Sequence, residues 1–299
     1  MIGHEFGRAA PFALLLSASL LAGCQTASGP TARVAVVEEE DKTGGTSANL
    51  GSLSEVIQRN PSDPAAYNTR GAAYARVGRY SEAVADFNKA VQLDPSNAAA
   101  YTNRGLAFRQ TNRNDAALAD FTKAIESDAN YAPAYVARAN LLRVTGSYDQ
   151  ALSDLAIAVR LSPESAEGVH ARGLVHQRMG RHREAVQDFD AAIDRNPFVA
   201  APYQARGESL TALGQYDKAI EDFNAALNVN NKNAGAWAMR GLAYEKAGKR
   251  AEARESYQRA LSVDANYSAV VKIRKSLLPQ VTAYGGVHGD LRRRGAALR

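Results

Sequence analysis

The chain of 299 residues contains one cysteine, Cys24. A single thiol cannot close an intramolecular disulfide, so the fold must hold without a covalent staple. Also missing is any apolar run of the roughly 20 residues that a membrane-spanning helix needs. The longest apolar stretch, Ala9 to Gly23, is shorter and is interrupted by Pro11, Ser17 and Ser19. There is no glycine-rich phosphate loop, no Gly-x-Ser-x-Gly elbow and no Cys-x-x-Cys pair. Serines and carboxylates are plentiful, yet none has a partner at a spacing that catalysis uses. Neither catalytic residues nor a cofactor are therefore expected. What is present, 45% hydrophobic and 22% charged residues, excludes disorder by composition and allows a sizeable core.

Position decides how the lone cysteine is read. The stretch Ala9–Gly23 follows Arg8, whose charge Glu5 partly cancels, and it has the length of the apolar region of an export signal. It ends in Leu21-Ala22-Gly23-Cys24: an aliphatic residue, two small residues, then cysteine. This resembles the lipobox of bacterial lipoproteins. The resemblance implies a signal peptide over residues 1–23, a diacylglyceryl thioether on the Cys24 thiol and a further acyl chain on the amine freed by cleavage. Acyl chains contribute about 0.8 kcal/mol per buried methylene, so several anchor stably where one does not. By the same analogy Gln25, in place of aspartate, implies an outer-membrane lipoprotein facing the periplasm. The alternative is an ordinary secretory signal with Cys24 incidental. Residues 24–49 are rich in small polar residues, carry the acidic run Glu38-Glu39-Glu40-Asp41 and show no periodicity. They read as a flexible tether.

From there the chain repeats itself. Arg70, Arg104, Arg138, Arg172, Arg206, Arg240 and Arg274 recur at intervals of 34 residues. The next residue is glycine at 71, 105, 173, 207 and 241, and alanine at 139. Thirteen residues after the arginine stands an alanine, from Ala83 to Ala253, followed four later by Phe87, Phe121, Leu155, Phe189, Phe223 or Tyr257. Three beyond that comes another alanine, from Ala90 to Ala260. Such spacings place the side chains on one helical face. Gly78, Gly146, Gly180, Gly214 and Gly248 break the pattern midway, and Pro95, Pro163 and Pro197 end it, so each unit reads as two antiparallel helices. The small residues let the backbones approach, and the large ones fill the spaces between them.

This pattern resembles the tetratricopeptide repeat. The resemblance implies an all-α, right-handed α-solenoid of six helix-turn-helix repeats, at 64–97, 98–131, 132–165, 166–199, 200–233 and 234–267. It also implies a concave face lined by the first helix of each unit. Leu53, Val56, Ile57 and Pro61 fall where the second helix of a preceding unit would place them, so residues 50–63 are expected to form an N-terminal capping helix. Residues 268–278 continue the register as a C-terminal cap, and a polar end is what a solenoid needs to stay soluble. Residues 279–299 read as a basic disordered tail.

Sixteen residues after each repeat arginine lies an acid: Asp86, Asp120, Asp154, Asp188 and Asp222, but Ser256 in the sixth unit. Because the combination recurs at separated positions, it is read as structural. The expected pairs are Arg70 with Asp86, Arg104 with Asp120, Arg138 with Asp154, Arg172 with Asp188 and Arg206 with Asp222. His170, His176 and His182 are six apart, the wrong spacing for ligands on one helix, so no metal site is expected. His176 and His182 occupy slots that Tyr74 and Tyr80 fill elsewhere, as packing substitutes would.

The family's groove-facing positions, transferred to this chain, yield Arg76, Arg109, Arg143, His170 and Arg178 as binding candidates. A row of arginines would suit an extended peptide with acidic groups, held by bidentate guanidinium contacts; the alternative is that they merely solvate the surface. Residues 64–267 hold 25 Lys and Arg against 23 Asp and Glu. The solenoid is thus nearly neutral, and nucleic acid is not an expected partner. The expected function is a lipid-anchored scaffold for peptide or protein ligands in the cell envelope; the alternative is a soluble cytoplasmic or secreted interaction module without an anchor. The repeats specify a groove, and neither its occupant nor an oligomeric state.

Overall fold

The computed structural model describes residues 45–267. The expected signal peptide at 1–23, Cys24, the expected tether up to residue 44, the expected cap at 268–278 and the expected tail at 279–299 lie outside the described residues. Those described form thirteen α-helices and no strand. The first, α1, spans Gly45–Arg59. Six pairs follow: α2 (Pro64–Arg76) with α3 (Tyr80–Leu93), α4 (Ala98–Gln110) with α5 (Asn114–Ser127), and α6 (Ala132–Thr145) with α7 (Tyr148–Leu161). Then come α8 (Ala166–Arg178) with α9 (His182–Arg195), α10 (Ala200–Ala212) with α11 (Tyr216–Val229), and α12 (Ala234–Lys246) with α13 (Arg250–Val263).

The first helix departs from the sequence reading at both ends. The tether reading runs to residue 49 and the cap reading covers 50–63, whereas α1 starts at Gly45 and stops at Arg59. Once a helix is nucleated, here where Ile57 is buried, each further residue gains a hydrogen bond at little extra cost. That carries the helix upstream without apolar periodicity. Downstream, Pro61 lacks an N–H and residues 60–63 form a turn before Pro64 opens α2.

Two kinds of turn set the alternation. Between the helices of a unit the chain must reverse through one left-handed residue, and Gly78, Gly146, Gly180, Gly214 and Gly248 supply it at φ between 74° and 85°. The second unit uses Asn112 at φ 59°, asparagine being among the few L-residues that visit this region routinely. Between units, Asp94, Asp128, Asn196, Asn230 and Asp264 accept a hydrogen bond from the backbone N–H two residues on. These are Asx turns. Asn97 and Asn233 then cap α4 and α12 through the N–H groups of Ala100 and Ala236.

The two helices of a unit meet through a glycine and a ring. A methyl group added at Gly71 would stand 2.7 Å from Phe87 Cε1, and the same holds within 2.6–2.9 Å at Gly105, Gly173, Gly207 and Gly241 against Phe121, Phe189, Phe223 and Tyr257. In the third unit the glycine is Ala139 and the ring is Leu155, both fully buried. The extra methyl on one helix is matched by a smaller side chain on the other, as close packing at fixed volume demands.

Successive first helices touch one another along the stack, α2 with α4, α4 with α6, α6 with α8, α8 with α10 and α10 with α12. Consecutive second helices have no comparable contact among the described residues. The stack is tight on one side and splayed on the other, so it curves as a solenoid with the first helices on the concave face.

Candidate functional site

The five repeat arginines with an acid at +16 are gripped by it in both prongs. The hydrogen bonds from Nε and Nη2 of Arg70, Arg104, Arg138, Arg172 and Arg206 to Asp86, Asp120, Asp154, Asp188 and Asp222 measure 2.6–3.1 Å. Each aspartate is buried. The hydrogen bond to aspartate raises the pKa of all five arginines against the opposing effect of burial. The third prong, Nη1, reaches back sixteen residues to the preceding second helix. It meets Ser54, Asn88, Thr122 and Asp190 from Arg70, Arg104, Arg138 and Arg206, and Asn224 from Arg240. Each of these arginines therefore joins three helices across two units. Arg172 finds no such partner among the described residues, because Ala156 stands in the slot. Arg240 meets Ser256 where an acid would be, at 3.1 Å, and stacks over Trp237 at 4.3 Å; burial lowers its pKa.

These charges are consumed by the fold. The groove arginines are not. Among the described residues no carboxylate lies within ion-pair distance of Arg76, Arg109, Arg143 or Arg178. Arg76 and Arg178 are exposed and Arg109 and Arg143 half-buried. Burial lowers the pKa of Arg109. Burial also lowers that of Arg143, with the positive charges of Arg178 and Arg109 adding to it. So three cations from α4, α6 and α8 share one region of the concave face. The Nε of Arg143 is buried with no hydrogen-bond partner among the described residues.

His170, on α8, stands beside this cluster. Burial, assisted by the charge of Arg143, lowers its pKa to about 4. Its Nε2 is buried without a partner among the described residues, and its ring lies 5.7 Å from that of Phe189. Past it, Glu208 on α10 accepts from Gln204 at 2.9 Å. Burial raises the pKa of Glu208 while Gln204 and the charge of Arg178 pull it down.

Two neighbours escaped the sequence reading. Glu167 stands in the first turn of α8; it is open to water, but the surrounding wall desolvates it and raises its pKa. The hydroxyl of Tyr131 is buried without a partner among the described residues, and no sequence signal points to it. His176 Nε2 is 3.8 Å from Asp188, so it leans on an aspartate that Arg172 already holds. Among the described residues no three of His, Cys, Asp and Glu converge on a metal-sized site.

Comparison with known proteins places this architecture. A TPR repeat profile matches residues 77–111 and 207–248, and tetratricopeptide repeat profiles match 102–166, 136–200, 170–227 and 234–267. Together they run unbroken from 77 to 267, more than half of the 299 residues. A search of curated protein sequences returns no match. Among solved structures, the APC/C hetero-tetramer Cut9-Hcn1 is 20% identical with a TM-score of 0.71, covering 79% of this chain and 47% of its own. This chain thus spans about half the length of that relative. The pilF protein of Pseudomonas aeruginosa is 19% identical with a TM-score of 0.63, covering 73% of this chain and 99% of its own. PilW, described as a widely conserved type IV pilus biogenesis factor, is 15% identical with a TM-score of 0.65, covering 70% and 97%. At these identities the likeness is one of fold.

Proposed function

The chain belongs to the tetratricopeptide repeat family, and from that premise we propose that it is an interaction scaffold whose concave face holds acidic segments of partner proteins. One contrast carries the reading. Five arginines turned into the helix pairs each have an aspartate, while Arg109, Arg143 and Arg178 on the concave face have none among the described residues. Half-burying a guanidinium without an acceptor costs free energy that an incoming carboxylate returns as charge-assisted hydrogen bonds. We also propose that Cys24 is acylated and ties the scaffold to the outer membrane, facing the periplasm, in some step of envelope assembly. Leu21-Ala22-Gly23-Cys24 and Gln25 support that location. The structures of pilF and PilW share the fold with it, and PilW is described as a pilus biogenesis factor. Anchoring would raise the local concentration of modest binding sites.

Metabolic labelling with a fatty acid tests the anchor: label is expected on wild type and absent from Cys24→Ser. Wild type without label would leave the second reading, an unanchored interaction module. Crosslinked pull-down from the membrane fraction tests the groove. Partners captured by wild type are expected to be lost from an Arg109/Arg143/Arg178 alanine triple variant, and their full retention would remove the concave arginines from the binding surface.

A further inference from the structure

Resting on that reading of the groove, we propose that its ligand is bipolar, with acidic residues along α4, α6 and α8 and a basic residue on Glu208 of α10. The concave face changes sign along the stack. The register position that holds Arg109 and Arg143 holds Gln177 and Thr211 in the next two units and Glu245 in the last. Lys246 follows Glu245 and offsets it, so the anionic side of the groove rests on Glu208. Glu167 stands in the first turn of α8, about 16 Å along the axis from Arg178 and outside the cationic run.

Two hydrogen bonds place the crossover. Gln177, beside Arg178, donates through Nε2 to the Ala205 carbonyl and to Ser209 Oγ, both at 3.1 Å. The end of α8 is therefore fastened to the stretch of α10 that carries Glu208. Glu208 is itself held: Gln204 donates to its Oε1 at 2.9 Å and accepts from Asn233 Nδ2 at 2.8 Å. Among the described residues its Oε2 accepts no hydrogen bond, and no cation stands within ion-pair distance. Burial opposes its charge, while Gln204 and the more distant Arg178 favour it. A half-buried carboxylate with a free oxygen is completed by an ammonium or guanidinium, through the charge-assisted hydrogen bonds that lost solvent no longer provides. A ligand acidic throughout is repelled at α10, whereas one that turns basic there gains at both ends.

The test is fluorescence anisotropy of the full chain with labelled peptides at low salt, where screening is weak. One peptide carries three glutamates among alanines. A second joins that segment through alanines to three lysines and is made in both chain orders; a third, of the same composition, alternates glutamate and lysine. One order of the joined peptide is expected to bind about tenfold more tightly than the alternating one, the ratio that a contact of about 1.4 kcal/mol provides. That comparison needs no variant. Glu208→Gln keeps the acceptor for Gln204 and removes only the charge. It is expected to weaken the joined peptide about tenfold and to strengthen the acid-only peptide. The joined peptide has no net charge, so a general change in the protein's field does not mimic the loss. Equal affinity of joined and alternating peptides, or weakening of acid-only and joined peptides alike by Glu208→Gln, overturns the bipolar ligand. The acidic groove still stands if the acid-only peptide binds wild type and not the Arg109/Arg143/Arg178 glutamine triple variant. Failure of both the acid-only and the joined peptides to bind wild type overturns both readings.

Discussion

Gly71→Ala adds one methyl group, and the structure says where it goes. The new carbon would lie 2.7 Å from Phe87 Cε1, 2.8 Å from Cδ1 and 3.1 Å from Cζ. Carbon atoms rest about 3.5–4.0 Å apart, so the overlap approaches 1 Å against a ring that is 1% exposed and has no open space to swing into. Overpacking of this kind costs about 1–3 kcal/mol. Alanine's better helix propensity returns about 1 kcal/mol, which leaves a net loss of about 0–2 kcal/mol. Phe87→Leu alone leaves a void beneath glycine and is also destabilising. Together the two substitutions recreate the Ala139–Leu155 pair of the third unit, so they should not add. A double-mutant cycle by urea unfolding is expected to show a favourable coupling of at least about 1 kcal/mol, within the range seen for residues in contact. Losses that add to within about 0.5 kcal/mol would refute the claim that methyl and ring compete for one volume.

His170 makes stability depend on pH. Its pKa in the fold is about 4, below the ordinary 6.5, so between those values the unfolded chain binds a proton that the fold refuses. Stability is full above pH 6.5 and falls as pH drops toward 4, by about 2–3 kcal/mol; His170→Gln should flatten that limb of a pH–melting curve, and an unchanged slope would count against it. Breaking the arginine pairs should cost about 3–5 kcal/mol each, because a buried aspartate is left alone. Arg206→Ala should cost more than Arg172→Ala, since Arg206 also holds Asp190, while Arg172 holds Asp188 alone. Urea midpoints in the reverse order would contradict this.

The helix pairs were legible because arginine, alanine and ring recur at one period, and periodic chemistry survives translation into a line of letters. The compensation of Ala139 by Leu155 was in plain view but separated by sixteen residues, and only the distance between helices connects them. Asn112 replaces a glycine in a turn; a reading keyed to glycine passes over it, although asparagine serves the same backbone angle. The rearward prongs were less visible still. Ser54, Asn88, Thr122, Asp190 and Asn224 share a position and a role but no side-chain type, because any acceptor of suitable reach satisfies an N–H. In the groove, register placed Arg109 and Arg143 on equivalent positions and Arg178 one residue further along its helix. Their mutual charge coupling and the buried Arg143 Nε depend on the curvature of the stack, which no window of sequence contains.

Ala156 sets a fault line. At the other seams from α1 onward, a guanidinium stitches the preceding second helix to the following pair; between the third and fourth units that stitch has no anchor among the described residues. The seam is held by nonpolar contact, including Val175 and Ala171 against the third unit, and at its edge by a hydrogen bond from Arg195 Nε to the Pro163 carbonyl. Apolar contact tolerates sliding, whereas a hydrogen-bonded fork tolerates little. A solenoid pulled from its two ends, or flexing to admit a ligand, would concentrate its motion there, in the middle of the arginine row, so that the spacing between Arg143 and Arg178 is the most adjustable in the groove.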